Sequence, residues 1–63
     1  MRFVLEVDLD AGALAGDRRG DELGRILRYW GSSMKQLPLN PGDRQDLRDS
    51  DYTAVGEWRV VDT

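Results

Sequence analysis

Hydrophobic and polar residues alternate at the start of the chain, over residues 2–9. One face of this segment carries Phe3, Leu5, Val7 and Leu9, and the other carries Arg2, Val4, Glu6 and Asp8. A period of two is the spacing of a β-strand with one buried face. We therefore predict a first strand over residues 2–9.

The apolar spacing changes to that of a helix in residues 21–37. Large apolar residues recur there at helical intervals, at Leu23, Ile26, Leu27, Trp30, Met34 and Leu37. This stripe predicts an amphipathic helix that covers one face of a sheet. Gly31-Ser32-Ser33 leaves two endings open, a helix that continues to Leu37 or a separate turn over residues 34–37. Pro38 stops the helix in either case.

The segment between strand and helix, residues 10–20, is predicted to be a loop because it holds three of the seven glycines. Leu14 is its only large apolar residue, and we expect it to cover the end of the core. We expect Asp17 or Asp21 to cap the helix, since a short carboxylate accepts hydrogen bonds from the free N–H groups of a first helical turn.

The last part of the chain, residues 46–62, is predicted to form a hairpin. Residues 46–49 form a short strand, Ser50-Asp51-Tyr52 form the turn, and residues 54–61 form the return strand. We expect the face of the return strand that carries Trp58 to meet the helix. Gly56 on that face would leave room for the helix backbone or a bulky side chain.

These elements predict a single α+β domain over residues 1–63, in the order β-α-β-β. One helix packs on a three-stranded, mainly antiparallel sheet of spatial order 1-3-2, which satisfies the rules for strand connections. Trp30 and Trp58 are expected between the two layers. The same order brings Glu6 of the first strand next to Arg59 of the last.

Composition excludes several function classes. The chain has 63 residues, 9 basic and 12 acidic, with a net charge of −3 and neither Cys nor His. Disulfides, thiolate nucleophiles, histidine bases and the usual transition-metal ligands are therefore absent. We expect no enzyme activity, no cofactor and no small-molecule substrate. Ser32 and Ser33 lack a histidine base, and Lys35 is the only lysine that could replace it. Serines at this position more often mark the end of a helix than act as nucleophiles.

The same composition bears on location. No apolar stretch approaches the length of a membrane span, and the alternating, acidic start of the chain resembles neither a signal peptide nor a transit peptide. We therefore expect a cytoplasmic protein without a membrane partner.

Acidic residues at the ends of the predicted strands are the candidate metal ligands. Asp8 and Asp10 follow the first strand, and Asp49 and Asp51 flank the hairpin turn. Converging carboxylates would suit Mg²⁺ or Ca²⁺. Aspartate is also common as a turn-former at solvated strand ends, and we favour that interpretation, with no metal bound.

Two surfaces are candidate binding sites. On the face of the sheet that the helix leaves uncovered, Val4, Val55 and Val61 are expected beside Glu6, Glu57 and Arg59. That face either stays solvated or forms a sheet-to-sheet homodimer. On the helix, Tyr29 lies off the apolar stripe with Arg25 and Arg28 nearby, a composition typical of protein-binding surfaces. Tyr29 at the rim of the core is the alternative.

Three segments of the chain resemble a class of short uncharacterised proteins from phages and prophages of GC-rich bacteria. They are Leu5-Glu6-Val7-Asp8 in the first strand, Glu22-Leu23-Gly24-Arg25-Ile26-Leu27-Arg28 in the helix, and Val55-Gly56-Glu57-Trp58-Arg59-Val60 in the hairpin. Ser50-Asp51-Tyr52 departs from the Asn-Gly turn usual in that class. The resemblance implies a β-α-β-β fold and a small accessory protein of phage type. It implies no activity.

These observations predict a non-enzymatic protein-interaction module that binds a host protein or a second copy of itself. A core this small also favours association, because small domains commonly need disulfides, metals or oligomerisation. The alternative is a nucleic-acid-associated regulator that uses Arg18, Arg19, Arg25 and Arg28. Its affinity would fall steeply with salt, and the net charge of −3 disfavours it.

Overall fold

The sheet has three strands, β1 (Arg2–Val7), β2 (Arg44–Arg48) and β3 (Ala54–Val61). The structure, a computed structural model, describes residues 1–63. β3 lies in the centre and pairs antiparallel with both neighbours, so the spatial order is β1-β3-β2. The predicted α+β fold, its β-α-β-β order and its strand order are confirmed.

A single α-helix, α1 (Arg19–Ser33), follows β1, and a short 3-10 turn over Met34–Gln36 follows α1. The earlier of the two predicted helix endings is therefore the one observed. The predicted caps are wrong, because Arg18 occupies the N-cap position and no side chain caps the helix there. Asp21 lies inside the first turn instead, where its charge still favours the positive end of the helix dipole.

The core lies between α1 and one face of the sheet. Its buried members are Leu14, Ile26, Leu47, Val55, Trp58 and Val60. Trp30 packs against this cluster, and its ring meets that of Trp58 edge-on at a centroid distance of 5.6 Å. Both tryptophans lie between the layers, as predicted. Leu14 reaches the core from a 3-10 turn over Gly12–Ala15, inside the segment predicted to be a loop.

The helix is rotated about its axis relative to the predicted stripe. Leu27, a member of that stripe, is 46% exposed. Glu22, expected off the stripe, is buried because its Oε1 accepts a hydrogen bond of 3.0 Å from the backbone N–H of Ser50 in the hairpin turn. The covered side of the helix therefore includes a polar contact with the hairpin turn.

The predicted placement of Val55 on the uncovered face is wrong. Leu47 lies opposite Gly56 and Arg48 opposite Ala54, so β3 has one extra residue at this point. Such a bulge interrupts the alternation of side chains between the two faces. Val55 consequently turns into the core, where it is 3% exposed.

The face opposite the helix carries a chain of ion pairs across all three strands. Arg59 contacts Glu6 of β1 at 2.6 Å and Glu57 of its own strand at 3.1 Å, and Glu57 also pairs with Arg44 of β2. The predicted contact between Glu6 and Arg59 is confirmed. Because Val55 lies in the core, this face has only two half-buried valines, Val4 and Val61. Its charge pairing suits contact with water.

Candidate interaction groove

A groove with a volume of about 530 Å³ runs between α1 and β2. Arg25, Ile26, Tyr29 and Trp30 of α1 line one wall, Gln45, Asp46 and Arg48 of β2 line the other, and Asp49, Ser50 and Tyr52 of the hairpin turn close one end. The groove lies at a sheet edge, because β2 is the outer strand on this side. Of the six predicted binding residues, it includes Arg25 and Tyr29.

Two tyrosines border the groove from opposite elements. Tyr29 on α1 is 59% exposed, and Tyr52 in the hairpin turn is 81% exposed. The ring of Tyr29 meets that of Trp30 edge-on, with centroids 5.3 Å apart, and Trp30 in turn packs on the core. Tyr29 is thus braced by the core while its ring stays accessible to a ligand.

Tyr52 has a left-handed backbone conformation, with φ of 63°. L residues with a Cβ rarely adopt this region, and glycine or asparagine is usual there. Two hydrogen bonds hold the conformation: the Tyr52 N–H donates to the Asp49 carbonyl at 3.0 Å, and the Tyr52 carbonyl accepts from Arg48 Nη1 at 3.0 Å. Tyr52 was predicted only as a turn residue, and its bulky side chain at a turn position was the signal in the sequence that could have marked it.

One arginine of α1 joins the two walls of the groove, and one arginine of β2 pairs within its own strand. Arg25 Nη2 donates to the Arg48 carbonyl at 2.9 Å and lies 3.7 Å from Glu22 Oε1. Arg48 Nη2 lies 3.4 Å from Asp46 Oδ2. The buried Nε of Arg25 has no hydrogen-bond partner. Arg28, the other predicted arginine of this surface, lies outside the walls of the groove and forms no ion pair.

Asp49, at the end of the groove, connects the hairpin turn to the 3-10 turn over Gly12–Ala15. Its Oδ2 accepts from the Ala13 N–H at 2.8 Å, and its Oδ1 accepts from the N–H groups of Asp51 and Thr53 at 2.9 and 2.8 Å. These donors, with that of Ala13 first, lower the pKa of Asp49 below its ordinary value of 3.8, because they stabilise the charged carboxylate. Asp49 therefore positions the turn that carries Tyr52.

The other predicted aspartates do not join it. Asp8 Oδ1 accepts from the Asp10 N–H at 2.9 Å within its own turn, and Asp10 Oδ1 lies 3.8 Å from Arg19. No three acidic side chains lie close enough together to hold a metal ion. Asp8 and Asp49 act as turn-formers, since each accepts a hydrogen bond from the N–H two residues further on.

Ser32 and Ser33, the candidate nucleophiles without a histidine base, lie in the last turn of α1. The hydroxyls of Ser32 and Ser33 donate to the Tyr29 carbonyl at 2.9 and 3.0 Å. Serine side chains commonly bond to a backbone carbonyl three or four residues earlier in a helix. Their position matches the helix-end role that the sequence favoured.

Comparison of the chain with protein families, with curated proteins and with solved structures found no match. Neither α1 nor the 3-10 turns combine the length and the apolar character that a bilayer-crossing helix needs.

Proposed function

We propose that the protein is a small protein-binding module and that the groove between α1 and β2 receives an extended segment of the partner. The supporting observation is Tyr52, a large aromatic side chain that is 81% exposed and stands on a left-handed backbone. Unfavourable backbone conformations persist where the surrounding structure enforces them, and they concentrate at binding sites. The backbone of Tyr52 thus has an unfavourable conformation at a position where the aromatic ring is exposed to solvent.

The residue types of the groove suit protein recognition. Tyrosine, tryptophan and arginine are the side chains whose removal most often weakens protein–protein interfaces. Tyr29, Trp30, Arg25 and Tyr52 supply all three types within one groove. Its volume of about 530 Å³ can receive an aromatic or large aliphatic anchor side chain of the partner, which would rest on Tyr29 and Trp30.

The resemblance to short phage and prophage proteins adds the class of partner to this proposal. Proteins of this kind would act inside a bacterial host, so the bound segment would belong to a host protein. An extended stretch of that protein suits the groove, because side chains of α1 and β2 border it on both walls.

Binding to nucleic acid is the weaker proposal. Three of the four arginines that would contact phosphates have carboxylate neighbours within the chain: Arg18 is 4.0 Å from Asp21, Arg19 is 3.8 Å from Asp10, and Arg25 is 3.7 Å from Glu22. Phosphate binding requires cations that can replace counterions on the nucleic acid. We expect no association with random-sequence duplex DNA at low salt in a fluorescence anisotropy titration.

The variant Tyr52→Asn is expected to separate binding from folding. Asparagine tolerates the left-handed conformation, so the free energy of unfolding should rise, by about 1 kcal/mol. Loss of the exposed ring should weaken binding about tenfold or more, as expected for an aromatic hot spot. The ligands would be peptides selected on the wild-type protein from a displayed library of random linear peptides. Urea denaturation and isothermal titration calorimetry provide the two measurements.

Leu9→Asn is the matched control for this experiment. It removes another exposed apolar side chain, one that does not line the groove, and should leave peptide affinity unchanged. The proposal fails if Tyr52→Asn binds the selected peptides as tightly as the wild type. It also fails if Leu9→Asn weakens binding to the same extent, because binding would then be a property of any exposed apolar residue.

A further inference from the structure

The outer edge of β1 is free. In an antiparallel pair, successive residues alternate between bonding to the neighbouring strand and pointing away from it. The Asp8 N–H donates to the Val55 carbonyl of β3 at 2.8 Å, so the even-numbered residues of β1 bond to β3. Phe3, Leu5 and Val7 therefore direct their backbone N–H and C=O groups outward. No hydrogen bond from a loop, a turn or a side chain reaches these outward groups.

The two edges of the sheet differ in how they are protected. Natural proteins shield exposed edges with short strands, charged side chains and proline. β2 has five residues, of which Arg44, Asp46 and Arg48 are charged, and Arg25 of α1 already bonds to its Arg48 carbonyl. β1 has six residues, no proline and an uninterrupted apolar run from Phe3 to Leu5. An unprotected strand of this kind is a template for pairing with another strand.

The charges of β1 select the strand that would pair with it. The segment Arg2-Phe3-Val4-Leu5-Glu6 has a positive end, three apolar residues and a negative end. An antiparallel copy of the same segment presents the reverse order. We propose that a second copy of this chain pairs with β1 in antiparallel orientation, with Val4 opposite the partner's Val4, so that two sheets join into one of six strands.

This register satisfies two requirements together. Phe3 lies opposite Leu5 of the partner subunit. The backbone N–H and C=O groups of both residues point toward the shared edge, so the two residues can exchange hydrogen bonds. Arg2 lies opposite Glu6 of the partner subunit on the face away from the helix, where opposite charges attract. A slip of two residues in one direction sets Arg2 opposite the partner's Val4. A slip in the other direction sets Arg2 opposite the partner's Asp8 but leaves Glu6 opposite the partner's Val4, and a parallel arrangement in register sets Arg2 against the partner's Arg2.

The side chains concerned are available for these contacts. Arg2 has no carboxylate neighbour and donates only to the Thr63 hydroxyl, at 3.2 Å. The side chain of Glu6 is 63% exposed, and only its Oε1 is used by Arg59. Phe3 is 46% exposed although it lies on the same face as the core. The joined sheet would keep both helices on one side and both grooves at its outer edges, so this pairing does not depend on the proposed function of the groove.

Charge reversal provides the test of this pairing. Sedimentation over a concentration series should show a wild-type dimer, and Arg2→Glu should raise the dimer dissociation constant about tenfold or more, because two attractive pairs become repulsive. Glu6→Arg should do the same. An equimolar mixture of the two variants should associate again, since the carboxylate introduced in one chain then faces the guanidinium introduced in the other. Circular dichroism verifies the fold of each variant, and Arg2→Glu alone is sufficient if Glu6→Arg fails to fold.

Amide hydrogen exchange locates the contact. The N–H groups of Phe3 and Leu5 should gain protection as the concentration rises, whereas that of Val4 should be protected at every concentration because it bonds to β3. Lys35→Glu is the control, with the same change of charge at a site away from β1, and should leave the dissociation constant unchanged. The proposal is overturned if the wild type stays monomeric, if Arg2→Glu associates like the wild type, or if Phe3 and Leu5 show no concentration-dependent protection.

Discussion

Replacing Gly56 with alanine is expected to lower the free energy of unfolding more than any other single substitution considered for this protein. A Cβ atom at this position would lie 2.9 Å from the Val7 Cα, and closer still to the carbonyl oxygen of Glu6. Both atoms belong to the backbone of β1, which cannot move aside as a flexible side chain can. β1 would have to separate from β3, and the sheet would lose one of its two ladders.

The expected loss is large relative to the total stability. A chain of this size has a free energy of unfolding of about 3 to 9 kcal/mol, and we expect Gly56→Ala to remove at least about 3 kcal/mol of it. Urea denaturation followed by tryptophan fluorescence measures the difference, because Trp58 lies in the core beside Gly56. Wild-type stability in Gly56→Ala would show that β1 and β3 are not packed as closely as described.

Gly31→Ala is the matched control for this substitution. No atom lies within 4 Å of a Cβ at Gly31, which is an exposed residue near the end of α1. The same chemical change should there stabilise the protein by up to about 1 kcal/mol, because alanine favours the helix more than glycine does. Equal destabilisation by both variants would point to a general intolerance of alanine and not to the close approach of β1.

Asp49→Asn is expected to have the second-largest effect, a melting temperature lower by about 10 °C or more. An asparagine can keep the two hairpin bonds with its Oδ1. Its amide nitrogen would then face the N–H of Ala13, so that two donors meet where a carboxylate oxygen accepts at 2.8 Å. Differential scanning calorimetry provides the measurement. Asp51→Asn is the matched control, since Asp51 is exposed and no hydrogen bond involves its side chain.

The pH dependence of stability tests the charge of Asp49 directly. Its pKa in the folded protein lies below the ordinary value of 3.8 because backbone N–H groups, that of Ala13 first, stabilise the carboxylate. A group with a lowered pKa contributes stability that is fully present above its unfolded pKa and is lost as the pH falls through its folded pKa. Wild-type stability should therefore decline below about pH 4, and Asp49→Asn should show a shallower decline. Parallel curves would contradict this role.

Periodicity alone determined most of the architecture. β1, α1 and β3 follow from spacings of two and of three to four residues, and the order 1-3-2 follows from the rules of strand connection. These features are local or depend on few alternatives, so one sequence is sufficient to predict them. The role of Gly56 was predicted in part: the space it leaves is filled by the backbone of β1 and not by the helix.

The tertiary structure decided what lies on each surface. Val55 enters the core because of a bulge that depends on how β2 and β3 align. Glu22 is buried where it accepts a hydrogen bond from Ser50, which lies 28 positions away in the chain, and Leu27 is exposed. The groove also depends on contacts between distant segments, because its walls come from α1 and β2. The left-handed backbone of Tyr52 at its end is held by hydrogen bonds with Asp49 and Arg48. Contacts between distant segments carry no periodic signal, so only the folded chain brings these residues together.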